Sequence, residues 1–109
     1  MGLLEKKCVP CEGGVPPFTI EEAEKYLSQV KEWNPGENFI EKEFKFKNFR
    51  QALEFVNKVG KIAESEAHHP DIFIHSYRKV KIILSTHAIK GLSENDFIIA
   101  AKIDQLIKQ

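Results

Sequence analysis

All four histidines of this 109-residue chain fall in one stretch, EAHHPDIFIHSYRKVKIILSTH, from Glu66 to His87. Imidazole, with an ordinary pKa of about 6.5, can accept or donate a proton near neutral pH, and it is also a common metal ligand. Three readings follow: a metal site, a proton-transfer site, or histidines that are simply exposed or satisfied. A zinc site asks for three or four converging ligands, often His at i and i+4 of a helix or paired C-x-x-C knuckles. Neither spacing occurs, and adjacent His68 and His69 point to opposite sides of an extended backbone. Proton transfer fits the surroundings better. Pro70 biases His69 to an extended conformation and ends any preceding helix, which frees both imidazoles at a helix-to-strand corner. His87 follows the strand-like Lys79 to Thr86, so three imidazoles can line one pocket if that strand end lies beside His68. His75, alternating with Phe73 and Tyr77, is assigned to neither chemistry. For His68, His69 and His87, residue type and spacing leave proton transfer and ordinary surface histidines both open.

No other group competes. Ser85 and Thr86 precede His87, but neighbours on a strand face opposite ways and no third orienting group is identifiable. Gly13 and Gly14 lack the preceding strand and following Lys-Ser or Lys-Thr of a phosphate loop. Cys8 and Cys11 form a C-x-x-C pair, half of a zinc knuckle, but they precede the turn-rich EGGVPP instead of opening a helix as a redox pair would. Residues 1–18 are therefore expected to be an N-terminal extension, flexible up to Pro17, and residues 19–109 a single domain.

The elements that must position the histidines follow from periodicity. Thr19 and Glu22 have capping-box spacing, and Ile20, Ala23, Leu27 and Val30 recur at helical intervals, which predicts a helix over about 20–31. Asn34, Pro35 and Gly36 break the chain, and Trp33 closes a short strand before them. Ile40, Phe44 and Phe46 alternate with Glu41, Glu43 and Lys45 as a half-buried strand. Between Asn48 and Glu64, Phe49, Leu53, Val56, Val59, Ile62 and Ala63 form a broad apolar stripe on a central helix. Two strands, Asp71 to Tyr77 and Lys79 to Thr86, then make a hairpin turning near Ser76 to Lys79. Ser93 with Asp96 caps a last helix carrying Phe97, Ala100, Ile103 and Ile107. The order α-β-β-α-β-β-α predicts a two-layer α+β domain, a four-stranded antiparallel sheet with helices on one face. Its open edges would favour self-association.

Composition narrows the function classes. Lys plus Arg and Asp plus Glu are 16 each, so no net field draws the chain to nucleic acid or an anionic membrane, and Arg78, Lys79 and Lys81 suit a solvated strand face. No apolar run reaches membrane-spanning length, the N-terminus lacks a signal-peptide core, and two cysteines make no disulfide framework, so a cytoplasmic protein is expected.

The sequence resembles the pterin-4a-carbinolamine dehydratases in ESEAHHP (Glu64 to Pro70), Tyr77, LSTH (Leu84 to His87) and GLSENDF (Gly91 to Phe97), and CVPCEGGVPPFT is similar to the N-terminal segment of many bacterial members. The resemblance implies the α+β arrangement above, a homodimer or homotetramer, and loss of water from a 4a-hydroxytetrahydropterin to give quinonoid dihydropterin without metal or organic cofactor. It carries catalysis to His68, His69 and His87, and substrate binding to Glu64, Pro70, Thr86 and Asp96. Ala67 stands where many relatives have Asp, Ala88 where many have Glu, and Ile72 or Phe73 where some have Trp, which leaves the pterin side-chain preference open. A role as a dimerising cofactor of a transcription regulator, known among animal relatives, is the alternative of a different class.

Overall fold

The computed structural model describes residues 3–6, 8 and 16–107, with His87 described by its backbone alone. Helix α1, Ile20–Leu27, starts at the expected capping box: Glu22 N–H donates to Thr19 Oγ1 at 3.1 Å, and Thr19 N–H donates to Glu22 Oε1 at 2.8 Å. It ends earlier than periodicity suggested. Gln29 and Val30 donate to carbonyls only three residues back, and this tighter winding turns the chain so that Val30 and Trp33 enter the core. The Asn-Pro pair expected only to break the chain is itself strand β1, Asn34–Pro35. A proline without an N–H is tolerated there because β1 is a sheet edge.

Strand β2 (Ile40–Lys45), helix α2 (Phe49–Glu66), strands β3 (Asp71–His75) and β4 (Lys79–Leu84), and helix α3 (Glu94–Ile107) complete the expected order. The sheet runs β1-β2-β4-β3 and is antiparallel throughout, with Ile82 between Lys42 on one side and Ile72 on the other. Alternation sets the faces: Val80, Ile82 and Leu84 are buried, while Lys79, Lys81 and Ile83 between them are only partly covered. The inner face packs on Ala52, Phe55, Val59 and Ala63 of α2 and on Phe97, Ile99, Ala100 and Ile103 of α3. Phe55 sits between the rings of Phe44 and Phe46, with centroids 4.8 and 4.9 Å away. One charged residue faces inward: Lys42 Nζ donates to Asp104 Oδ1 at 2.9 Å and to the Lys31 carbonyl at 2.7 Å.

The stripe predicted for α2 divides in two. Of its residues, Val59 and Ala63 are buried and Val56 and Ile62 pack partly buried against the core, whereas Phe49 and Leu53 remain 49% and 40% exposed; Ala52 and Phe55, outside the predicted stripe, are buried in their place. The hairpin turns through Ser76 and Tyr77, both at positive φ (51° and 52°), so β3 ends at His75 and not at Tyr77. Leu3, in a 3₁₀ turn at Leu3–Glu5, is buried in the core, so the segment expected to be flexible is packed at this point. Among the described residues no helix is long and apolar enough to cross a membrane.

At the end of α2, Ala67 adopts a left-handed conformation, φ 54° and ψ 39°, and His68 N–H donates to the Ala63 carbonyl at 3.2 Å. This closes the helix as a Schellman motif, in which a Cβ is unfavourable and glycine is preferred. Ala67→Gly is therefore expected to stabilise the fold by about 1 kcal/mol, read as a melting temperature several degrees higher.

Candidate active site

Three elements converge on a buried carboxylate. His68 arrives from the α2 terminus, held by the Ala67 turn. Thr86 arrives just after β4. Asp96 sits in the first turn of α3, where its carboxylate accepts from Ser93 N–H at 3.0 Å. The loop between Thr86 and Asp96 is closed by paired backbone bonds, Thr86 N–H to Gly91 O at 2.8 Å and Gly91 N–H to Thr86 O at 3.3 Å. Gly91 is required because Pro17 packs against it: a Cβ there would lie 2.5 Å from Pro17 Cβ. Inside this closed loop, His87 opens a 3₁₀ turn, His87–Ile89, one residue past Thr86.

Asp96 is fully buried, and its contacts dictate the chemistry of its neighbours. Oδ1 lies 2.7 Å from His68 Nε2, and Oδ2 accepts from the Thr86 hydroxyl at 2.8 Å. With its proton committed to Asp96, the Thr86 oxygen accepts from Ser93 Oγ, also at 2.8 Å. A carboxylate can only accept, so it fixes the His68 proton on Nε2 and leaves Nδ1 to exchange a proton with a bound molecule. The His68 side chain is 12% exposed, enough for one ring edge to reach the surface.

The other expected site residues fall around this network. His69 Nε2 lies 2.6 Å from Glu64 Oε2, one helical turn back, with side chains 61% and 78% exposed. Such an exposed pair orients an imidazole but adds little stability. Pro70 is partly buried and directs the chain into β3. Thus His68 and Thr86 each contact Asp96 directly, His69 and Glu64 form an adjacent surface pair, and the His87 imidazole lies outside the described residues. Ser93, read in the sequence only as a helix cap, is also part of the network; Ser93-x-x-Asp96 is the spacing that signals it.

His75 lies apart, as expected. Its ring stacks on Phe73 with centroids 5.6 Å apart, and Nε2 lies 2.6 Å from Glu43 Oε1, across β4 on the outer sheet face. The His75 hydrogen bond holds the Glu43 carboxyl below its usual range, against a smaller opposing effect of burial. The small stabilisation from Glu43 is therefore present above the ordinary carboxylate pKa and is lost as pH falls through the lowered value. His75→Ala is expected to leave turnover unchanged, within about twofold in a kinetic assay, because among the described residues no contact links it to the Asp96 network.

Cys8 is partly buried, and Cys11 lies outside the described residues. Burial foremost, and then the neighbouring Glu66 carboxylate, push the Cys8 thiol up to about 12. Alkylation of Cys8 by iodoacetamide at pH 8, measured in a Cys11→Ser background, is accordingly expected to be roughly a thousandfold slower than for a free thiol. A cavity of about 520 Å³ opens along the C-terminal half of α3, between Leu3, Val30, Lys42 and Asp104, and none of the site residues lines it.

Residues 16–106 match the profile of the family described as pterin 4 alpha carbinolamine dehydratase. The chain belongs to that family. Membership in the pterin carbinolamine dehydratases places it among hydro-lyases. Among the relatives, a protein of Alkaliphilus metalliredigens is 51% identical over 94% of both chains, and one of Halorhodospira halophila is 51% identical over 97% of this chain and 98% of its own. Both are named, provisionally, as pterin-4-alpha-carbinolamine dehydratases. A solved structure from Brucella melitensis, titled transcriptional coactivator/pterin dehydratase, is 30% identical with a TM-score of 0.78, covering 83% of this chain and 97% of that one. The dehydratase family thus accounts for the motif that carried the resemblance, and the Asp96 network lies within the matched span.

Proposed function

We propose that this chain removes water from a 4a-hydroxytetrahydropterin to give quinonoid dihydropterin, with His68 and His87 exchanging the protons. The observation that carries the reading is the buried Asp96 carboxylate, which fixes His68 by one oxygen and Thr86, the residue before His87, by the other. Loss of the 4a-hydroxyl needs a proton delivered to the departing oxygen, and formation of the C=N bond needs one removed from pterin N5. An imidazole can both accept and donate a proton near neutral pH, so a pair of them suits both transfers. Asp96 and Thr86 serve the reaction through His68, as the fixed support that sets its tautomer. His69, steadied by Glu64, orients the pterin at the rim beside Pro70.

The test is the decay of chemically generated 4a-hydroxytetrahydropterin followed by ultraviolet absorbance. The protein is expected to accelerate it in proportion to its concentration; decay at the buffer rate overturns the proposal. Self-association belongs to the same reading. Exposed Phe49 and Leu53 on α2 and the edge strand β3, with Phe73 59% exposed, give two surfaces that a second copy can cover. Light scattering is expected to return a mass above that of one chain, and a monomer at micromolar concentration would reject it.

A further inference from the structure

We propose that the N-terminal strap, Leu3 to Lys6 together with Cys8, is a positioning element for this site, with Cys8 tying the end of α2 to the start of α3. Leu3 anchors the strap in the core, 5% exposed. Lys6 Nζ pairs with Glu94, the first residue of α3, whose carboxylate also accepts from the Tyr26 hydroxyl at 3.2 Å. Cys8 N–H donates to Glu66 Oε1 at 2.8 Å, and its thiol lies 3.7 Å from the Asn95 carbonyl oxygen. Glu66 stands two residues before His68, and Asn95 immediately before Asp96. One strap residue therefore touches both segments that deliver the His68–Asp96 pair. The second Glu66 oxygen pairs with Lys102, one helical turn and a half beyond Asp96 on α3, so the two helices are tied directly as well.

These ties matter because the His68–Asp96 contact spans only 2.7 Å. A hydrogen bond weakens steeply with small changes of distance or angle, and catalytic geometry is correspondingly sensitive. Separating the α2 terminus from the α3 terminus lengthens that contact first, because His68 is attached to one and Asp96 to the other. The family-model match begins at residue 16, so these residues lie before that span. The Cys8 role is positional: its backbone N–H and partly buried thiol act through Glu66 and Asn95 and contact no reacting atom.

The kinetic part of the test rests on the proposed dehydration, whereas a spectroscopic part does not. In ¹⁵N-labelled full-length protein, the His68 ring N–H bonded to Asp96 is followed by NMR in Glu66→Ala, Glu66→Gln, Cys8→Pro and Cys8→Ser. Glu66→Ala and Cys8→Pro are expected to broaden this resonance and speed its exchange with water at least tenfold, and to lower kcat at least fivefold with little change in KM. Glu66→Gln, which keeps an acceptor, and Cys8→Ser, which keeps both donors, are expected to retain it. Should Cys8→Pro fold poorly, Glu66→Ala decides, since it leaves the strap backbone intact. An unchanged ring N–H in Glu66→Ala overturns the proposal, even if the melting temperature drops. Lost dehydration in every variant and in the parent, with the ring N–H still responding, rejects the reaction and leaves the positioning role supported.

Discussion

His68→Ala and His87→Ala are each expected to lower turnover at least tenfold, and on the order of a hundredfold to ten-thousandfold where the imidazole carries a full proton transfer. The two differ in their effect on the fold. His68→Ala leaves one oxygen of fully buried Asp96 without its imidazole partner, a cost of about 1–3 kcal/mol, within what a domain of this size tolerates. His87 lies in the Thr86–Gly91 loop, which backbone bonds between Thr86 and Gly91 close, and His87→Ala keeps those bonds. Steady-state kinetics with thermal melting checks both. Unchanged turnover in the two variants would reject the assigned site.

Substituting Asp96 is expected to give the largest combined effect. Asp96→Ala removes the acceptor of His68, Thr86 and Ser93 N–H at once, and at a buried position this costs about 3–5 kcal/mol in denaturant unfolding. Asp96→Asn separates the chemistry from the fold. Its carbonyl oxygen can still accept from Thr86 and Ser93, but its amide then presents N–H to His68 Nε2. That ring nitrogen must become the acceptor, which moves the His68 proton to Nδ1, the nitrogen proposed to exchange a proton with substrate. Turnover is expected to fall on the order of a hundredfold or more while the protein stays folded. Imidazole ¹⁵N shifts report the tautomer directly, and an unchanged tautomer would contradict the role given to Asp96.

Much of the scaffold was legible because period and punctuation agreed. Thr19 and Glu22 announced α1, and the alternation of Val80, Ile82 and Leu84 with Lys79 and Lys81 named the buried face of β4. The failures have local causes. The apolar residues of α2 cover more of the helix than one sheet can contact, so periodicity marked Phe49 and Leu53 as core when the layer had no room for them. Asn34 and Pro35 were read as a break because proline is rare in strands, and an edge strand is the exception. In the site, the histidines and the motif spacing were visible, but not that Asp96 serves both Ser93 and His68. That depends on α3 beginning beside the end of α2, a tertiary fact with no local signal. The docking of Cys8 onto Glu66 was hidden for the same reason.

The inward lysine of β2 has a consequence for how the sheet finds its pairing. Lys42 faces Asp104 from the core side, with its Nζ 4.9 Å from the centre of the Phe44 ring, between buried Ile40 and Phe44 on the same face. A slip of β2 by one residue would turn Lys42 to solvent and bring Glu41 and Glu43 inward, toward the carboxylate of Asp104. The ion pair therefore acts as a key for strand alignment: it discriminates against the misregistered sheet by charge repulsion, and so protects the position of β4 and of the site that follows it.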